Sequence, residues 1–147
     1  MPGNITGPRV EPVTAEVTAT TTPTRSAERP SPPFTVVFLY DRSANSPASA
    51  LCLARVKSAR EYAADRGWRV RGEFVDLGPH ALLDNNRPAW GRLLLAVRTS
   101  EAPDVRLLCL VPSEQRLATL PGVRRALARE LVIAGARLVS QEDEERT

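Results

Sequence analysis

Histidine and cysteine are scarce in this chain of 147 residues, and their scarcity excludes several kinds of active site. Because His80 is the one histidine, a histidine-rich metal centre or a Ser-His-Asp triad would depend on a single residue in a predicted loop, and both are disfavoured. Cys52 and Cys109 each lie between two leucines. They are predicted to be reduced, buried apolar side chains rather than a disulfide or a metal pair. We therefore expect no metal and no cofactor.

The sequence also lacks glycine-rich phosphate loops and long apolar runs. Neither GxGxxG nor GxxxxGK[ST] occurs, which weakens a nucleotide-cofactor interpretation. A phospho-receiver domain needs an aspartate at the end of its third strand, where this chain has Val111-Pro112. No apolar stretch reaches the length of a membrane span, and the N-terminus lacks a signal-peptide pattern. A cytoplasmic protein that does not enter membranes is predicted.

Aromatic residues make up only 5% of the chain, so its core must be built from leucine, valine and alanine. Lysine is nearly absent, since Lys57 is the only one. Residues 34–140 carry 16 basic and 10 acidic side chains, whereas residues 141–147 carry one basic and four acidic. Arginine suits bidentate contacts with phosphate. A solvated arginine-rich surface explains the same composition equally well.

The chain divides into three parts. Residues 1–33 hold seven of the 13 prolines and seven threonines, and are predicted to be a disordered tail. Residues 34–140 are predicted to alternate strands (35–40, 68–75, 105–111 and 136–140) with helices that begin at Pro47, Pro88 and Pro121. Ser46 is the predicted cap of the first helix, and Gly67 and Gly135 end the first and third. Residues 141–147 are predicted to be an acidic tail.

This order of elements predicts an α/β domain of three layers, with a mainly parallel four-stranded sheet between helices. Ligands of open parallel sheets bind beyond the carboxyl ends of the strands. Those ends carry Asp41-Arg42, Asp76 and Arg116, and Arg87 precedes the second helix on the same rim. The pattern predicts a site for phosphate or another anion. The alternative is that these are rim charges paired with one another.

An ordered set of short motifs resembles the catalytic domain of serine recombinases of the resolvase/invertase type. The set covers about three quarters of the chain. It comprises Tyr40-Asp41-Arg42-Ser43-Ala44, Glu61-Tyr62-Ala63, Gly67-Trp68, Glu73-Phe74-Val75-Asp76, Arg87-Pro88, Asp104-Val105 and Ala134-Gly135-Ala136-Arg137-Leu138-Val139-Ser140. The resemblance implies a resolvase-like fold over residues 34–140.

The resemblance also implies a degenerate active site. The position of the serine that attacks DNA in the family falls on Ala44, which has no nucleophile. Arg42, Asp76 and Arg87 match active-site positions of the family. Arg116 matches the last arginine of the turn after the third strand, but the Asp-Arg pair of that turn falls on Pro112-Ser113.

Three hypotheses of function follow. The first is a catalytically inactive recombinase-like domain that acts as a binding or regulatory module. In the binding role, Arg42, Arg87 and Arg116 hold DNA phosphate weakly and without sequence preference. The second is a residual DNA strand transferase that uses Ser43. The third is a protein-interaction remnant that docks on an intact recombinase. The family's dimerisation helix and DNA-binding domain have no counterpart before residue 147, so the expected DNA affinity is low, and the oligomeric state is left open.

Overall fold

The structure, a computed structural model, describes residues 34–82 and 87–146. The predicted tail over 1–33 lies outside these residues. The strands are β1 (Phe34–Ser43), β2 (Arg69–Leu77), β3 (Val105–Val111) and β4 (Arg137–Ser140). The helices are α1 (Ala50–Asp65), α2 (Pro88–Thr99), α3 (Glu114–Leu117), α4 (Pro121–Ala134) and α5 (Gln141–Arg146), with a 3-10 turn over Pro79–Leu82.

The four strands form one parallel sheet in the order β2-β1-β3-β4. Alternation along β1 explains why helices cover both faces. Val36, Phe38 and Tyr40 pack with α2 and α4, whereas Val37 and Leu39 pack with α1. The predicted three-layer α/β architecture is therefore confirmed.

Local signals in the sequence set most helix boundaries. Pro88 and Pro121 begin α2 and α4 as predicted. Gly135 ends α4 in the left-handed region, at φ 117°, where a side chain would be strained. The predicted cap of α1 is wrong: Ser49, not Ser46, accepts the hydrogen bond of the Cys52 amide at 3.1 Å, because the helix begins only at Ala50.

Strand β2 carries an irregularity that the sequence pattern did not reveal. Strict alternation along a strand would place Val70, Gly72 and Phe74 on one face. Instead Val70 packs on the α1 side and Phe74 on the α2 and α4 side. The register with β1 shifts by one residue there: Val37 pairs with Val70, but the next residue, Phe38, pairs with Gly72 and not with Arg71. Arg71 is the extra residue of a β-bulge. After it, the side chains of β2 point to the opposite face from the one that strict alternation would give.

The segment expected to be an acidic tail forms α5 over residues 141–146. Gln141 is buried and its side-chain amide donates to Ser58 Oγ at 3.0 Å. The Tyr62 hydroxyl donates to Glu144 at 3.2 Å. These contacts hold α5 against α1. Among the helices described, none is both long and apolar enough to cross a membrane.

Candidate functional site

The predicted rim residues do come together, at the carboxyl ends of β1 and β3. Strand β1 lies between β2 and β3. The helix that follows β1, α1, packs on one face of the sheet, whereas α4, which follows β3, packs on the other face. The short helix α3 follows β3 directly, and Ser113 caps it by accepting the Arg116 amide at 3.3 Å. Arg42 and Arg87 donate hydrogen bonds to backbone carbonyls of α3, and Arg116 is itself a residue of this helix.

Arg42 is a buried side chain directed at the backbone of α3. It is only 1% exposed. Its Nε donates to the carbonyl of Arg116 at 2.8 Å, and its Nη2 donates to the carbonyl of Gln115 at 3.0 Å. The last carbonyls of a helix have no partner within the helix, so Arg42 supplies the donors that the end of α3 lacks. These contacts explain how a buried cation is tolerated at the end of β1.

Arg87, Tyr40 and Asp76 form a second hydrogen-bonded group. Arg87 Nη1 donates to the Leu117 carbonyl at 2.6 Å and to the Tyr40 hydroxyl at 3.3 Å. The Tyr40 hydroxyl in turn donates to Asp76 Oδ2 at 2.5 Å. Burial, reinforced by the hydrogen bond to Asp76, raises the pKa of Tyr40 far above its ordinary value of 10.0, so it stays a neutral donor.

Asp76 also caps α2. Its Oδ1 accepts from the Ala89 amide at 2.7 Å and its Oδ2 from the Trp90 amide at 3.3 Å. Trp90 is further fixed by its indole, which donates to Glu130 at 3.0 Å and meets the Tyr40 ring edge-on at 5.1 Å. A carboxylate at a helix N-terminus satisfies free amides and complements the helix dipole. The geometry thus gives Asp76 a structural role.

Asp41 lies on the opposite face of β1, between two arginines. Its carboxylate is 1% exposed; Arg55 Nε donates to one oxygen at 2.7 Å and Arg116 Nε to the other at 3.1 Å. Both arginines also donate to the carbonyl of Arg42. The Arg55 and Arg116 side chains stay 27% and 31% exposed, so both reach solvent beside the buried Asp41 carboxylate.

The sequence did not predict Arg55 as a site residue, because a charged side chain on an amphipathic helix is expected to face solvent. Its spacing contains a signal, however, since it lies three residues after Cys52 and four before Ala59, both fully buried. Cys52 is free, and so is Cys109, as predicted. Burial, with a further contribution from nearby Asp41, raises the pKa of the Cys52 thiol to about 11.

Ala44 and Ser43 occupy the place where a nucleophile is expected. Ala44 follows the end of β1 and is exposed. Ser43 is 3% exposed, and its Oγ accepts from the amides of Asn45 and Ser49, both at 3.3 Å. The hydroxyl therefore ties the loop after β1 to the start of α1. To attack a phosphodiester, Ser43 would have to give up these contacts and become exposed.

No protein-family model and no curated protein matches this sequence. Several solved structures resemble the fold, among them the following three. The C-terminal catalytic domain of ISC1926 TnpA, an IS607-like serine recombinase, aligns with 71% of this chain and 66% of its own, at 16% identity and a TM-score of 0.58. The N-terminal catalytic domain of TP901-1 integrase aligns with 74% of this chain and 79% of its own, at 19% identity and a TM-score of 0.59.

The third structure is a resolvase family site-specific recombinase from Streptococcus pneumoniae. It aligns with 74% of this chain and 73% of its own, at 19% identity and a TM-score of 0.58. The described domain therefore has the fold of serine recombinase catalytic domains, as the resemblance in the sequence implied. Identities this low establish the shared architecture and leave the chemistry to be argued from this chain's own residues.

Proposed function

We propose that this domain is a catalytically inactive serine recombinase-type module with a binding or regulatory role. The observation that carries the proposal is the state of Arg42, which resembles a catalytic arginine but is 1% exposed and donates to two backbone carbonyls. An arginine in this state holds α3 in place. It presents no fork of donors to a phosphate outside the domain.

The lack of a usable nucleophile at the end of β1, where the resemblance places the attacking serine, supports the same proposal. Ala44 reaches solvent but has no hydroxyl, and Ser43 has a hydroxyl that is buried and engaged with two amides. A covalent intermediate needs a nucleophile next to a base or a cation that activates it. Strand transfer by Ser43 is therefore the less favoured hypothesis.

Weak binding of DNA phosphate is a second candidate, and it depends on Arg116 and Arg55 more than on Arg42. Both side chains are partly exposed beside Asp41. Arg87 is partly exposed too, but its Nη1 donates to the Leu117 carbonyl and the Tyr40 hydroxyl. Each phosphate contact contributes about one unit to the slope of log affinity against log salt concentration. Two such contacts give weak, salt-sensitive binding without sequence preference. An intact recombinase remains the alternative partner.

Trapping of a covalent protein–DNA adduct tests the proposal. The purified protein is incubated with supercoiled DNA, quenched with detergent and analysed on denaturing gels, with an active serine recombinase on its own site as the positive control. We expect no adduct from the wild type or from Ser43→Ala. An adduct formed by the wild type and lost in Ser43→Ala would overturn the proposal and favour a residual strand transferase.

A further inference from the structure

The sheet has two edge strands in the described part of the chain, and they differ in how well they are protected. On β2 the bulge at Arg71 interrupts the regular edge. The side chains of β2 are also engaged, since Glu73 pairs with Arg60 and Arg71 donates to Ser100 Oγ at 3.1 Å. Bulges and charged side chains are the usual means by which an edge strand avoids pairing with another chain.

The β4 edge is regular and opens onto a groove. Within the described residues β3 is the one strand paired with β4, and that register runs without a shift from Arg137 to Ser140. A groove of about 330 Å³ follows this strand. All four residues of β4 line it, together with Arg106, Glu114, Asp143 and Glu144.

The charges along the groove have a fixed order. Arg106 and Arg137 lie toward the amino end of β4, whereas Asp143 and Glu144 follow its carboxyl end in α5. A parallel copy of the same strand would bring like charges together. An antiparallel copy would bring the basic end of each strand to the acidic end of the other, so this surface is complementary to itself under a twofold rotation.

We propose that β4 pairs antiparallel with β4 of a second copy, which joins two sheets into one of eight strands. The half-buried side chains of Leu138 and Val139 would be covered at the centre, and Arg137 would meet Asp143 of the other copy at each end. The proposal is independent of the proposed function, because an active domain with this edge would pair in the same way.

The expected association is weak and sensitive to salt. Four residues of strand span only about 14 Å, so the paired edge is short and its area falls at the low end of specific interfaces. The ion pairs at its two ends lie near solvent and are screened as the ionic strength rises. We therefore expect a weak dimer, with a dissociation constant on the order of 100 µM.

Sedimentation equilibrium of the full chain from about 5 to about 500 µM tests the proposal. The wild type should show an average mass that rises toward that of a dimer, less so in high salt. Arg137→Glu and Asp143→Arg should each remain monomeric, because each brings two pairs of like charges together. An equimolar mixture of these two variants should dimerise, because both contacts between them are attractive.

The matched control is Arg129→Glu, which makes the same charge change on an exposed position of α4 outside the groove. It should dimerise as the wild type does. Circular dichroism verifies that each variant is folded; if Asp143→Arg does not fold, Arg106→Glu replaces it as a second variant expected to be monomeric. A wild type that stays monomeric at the highest concentration, or an Arg137→Glu variant that dimerises normally, would overturn the proposal.

Discussion

Replacing Arg42 by alanine should destabilise the domain strongly, because the fold and not a ligand uses this side chain. The substitution leaves the carbonyls of Gln115 and Arg116 without the donors that now lie 3.0 and 2.8 Å away. A hydrogen bond to a charged group contributes about 1.5–3 kcal/mol. Two such bonds give an expected loss of about 3–6 kcal/mol in the free energy of unfolding, a large share of the stability of an ordinary domain.

Urea unfolding followed by far-ultraviolet circular dichroism measures this loss. Arg42→Lys should recover only part of it, because a single ammonium cannot reproduce the fork that reaches both carbonyls. Arg129→Ala, an exposed arginine on α4, is the control and should change the stability by no more than about 0.5 kcal/mol. A loss below about 1 kcal/mol for Arg42→Ala would contradict this role of Arg42, since it would mean that the buried contacts do not hold α3.

Two further predictions concern stability. Asp76→Ala should lower the free energy of unfolding by about 2–4 kcal/mol, because the Ala89 and Trp90 amides lose their cap and the Tyr40 hydroxyl loses its acceptor. Thermal unfolding measures the loss, and Asp65→Ala, at an exposed position, is the control. Equal losses for the two variants would contradict the role of Asp76 as a cap. The raised pKa of Cys52 predicts that the free energy of unfolding falls as the pH rises from 9 to about 11, because the thiol ionises first in the unfolded chain. In Cys52→Ala, the decrease across this interval should be smaller than in the wild type by roughly 2–3 kcal/mol. An equal decrease in both proteins would contradict the prediction.

The fold was predictable because local signals and the hydrophobic pattern agree over most of the domain. Strand β3 matches its prediction, and the buried residues Trp90, Leu93, Leu94 and Val97 of α2 follow helical spacing. The prediction ended β1 at Tyr40 although the strand continues to Ser43. Hydropathy could not extend it, because the last three residues are polar and are buried only through contacts with distant elements.

The candidate site was predictable in its location and not in its chemistry. The rule that strand ends meet at one edge correctly brought Arg42, Asp76, Arg87 and Arg116 together. Nothing in the local sequence shows whether an arginine donates to a ligand or to a carbonyl. That outcome depends on α3, a four-residue helix whose carbonyls lie within reach only once β1 and β3 are paired.

In the proposed function, Arg42 holds α3 against β1 and does not bind phosphate. Fluorescence anisotropy with generic duplex DNA at several salt concentrations tests it most directly, on wild type, Arg42→Gln and Arg116→Gln proteins each shown to be folded. We predict that Arg42→Gln leaves the slope of log affinity against log salt unchanged, while Arg116→Gln reduces any slope present by about one. A slope that falls by about one in Arg42→Gln would contradict the claim, because it would mean that Arg42 contacts phosphate.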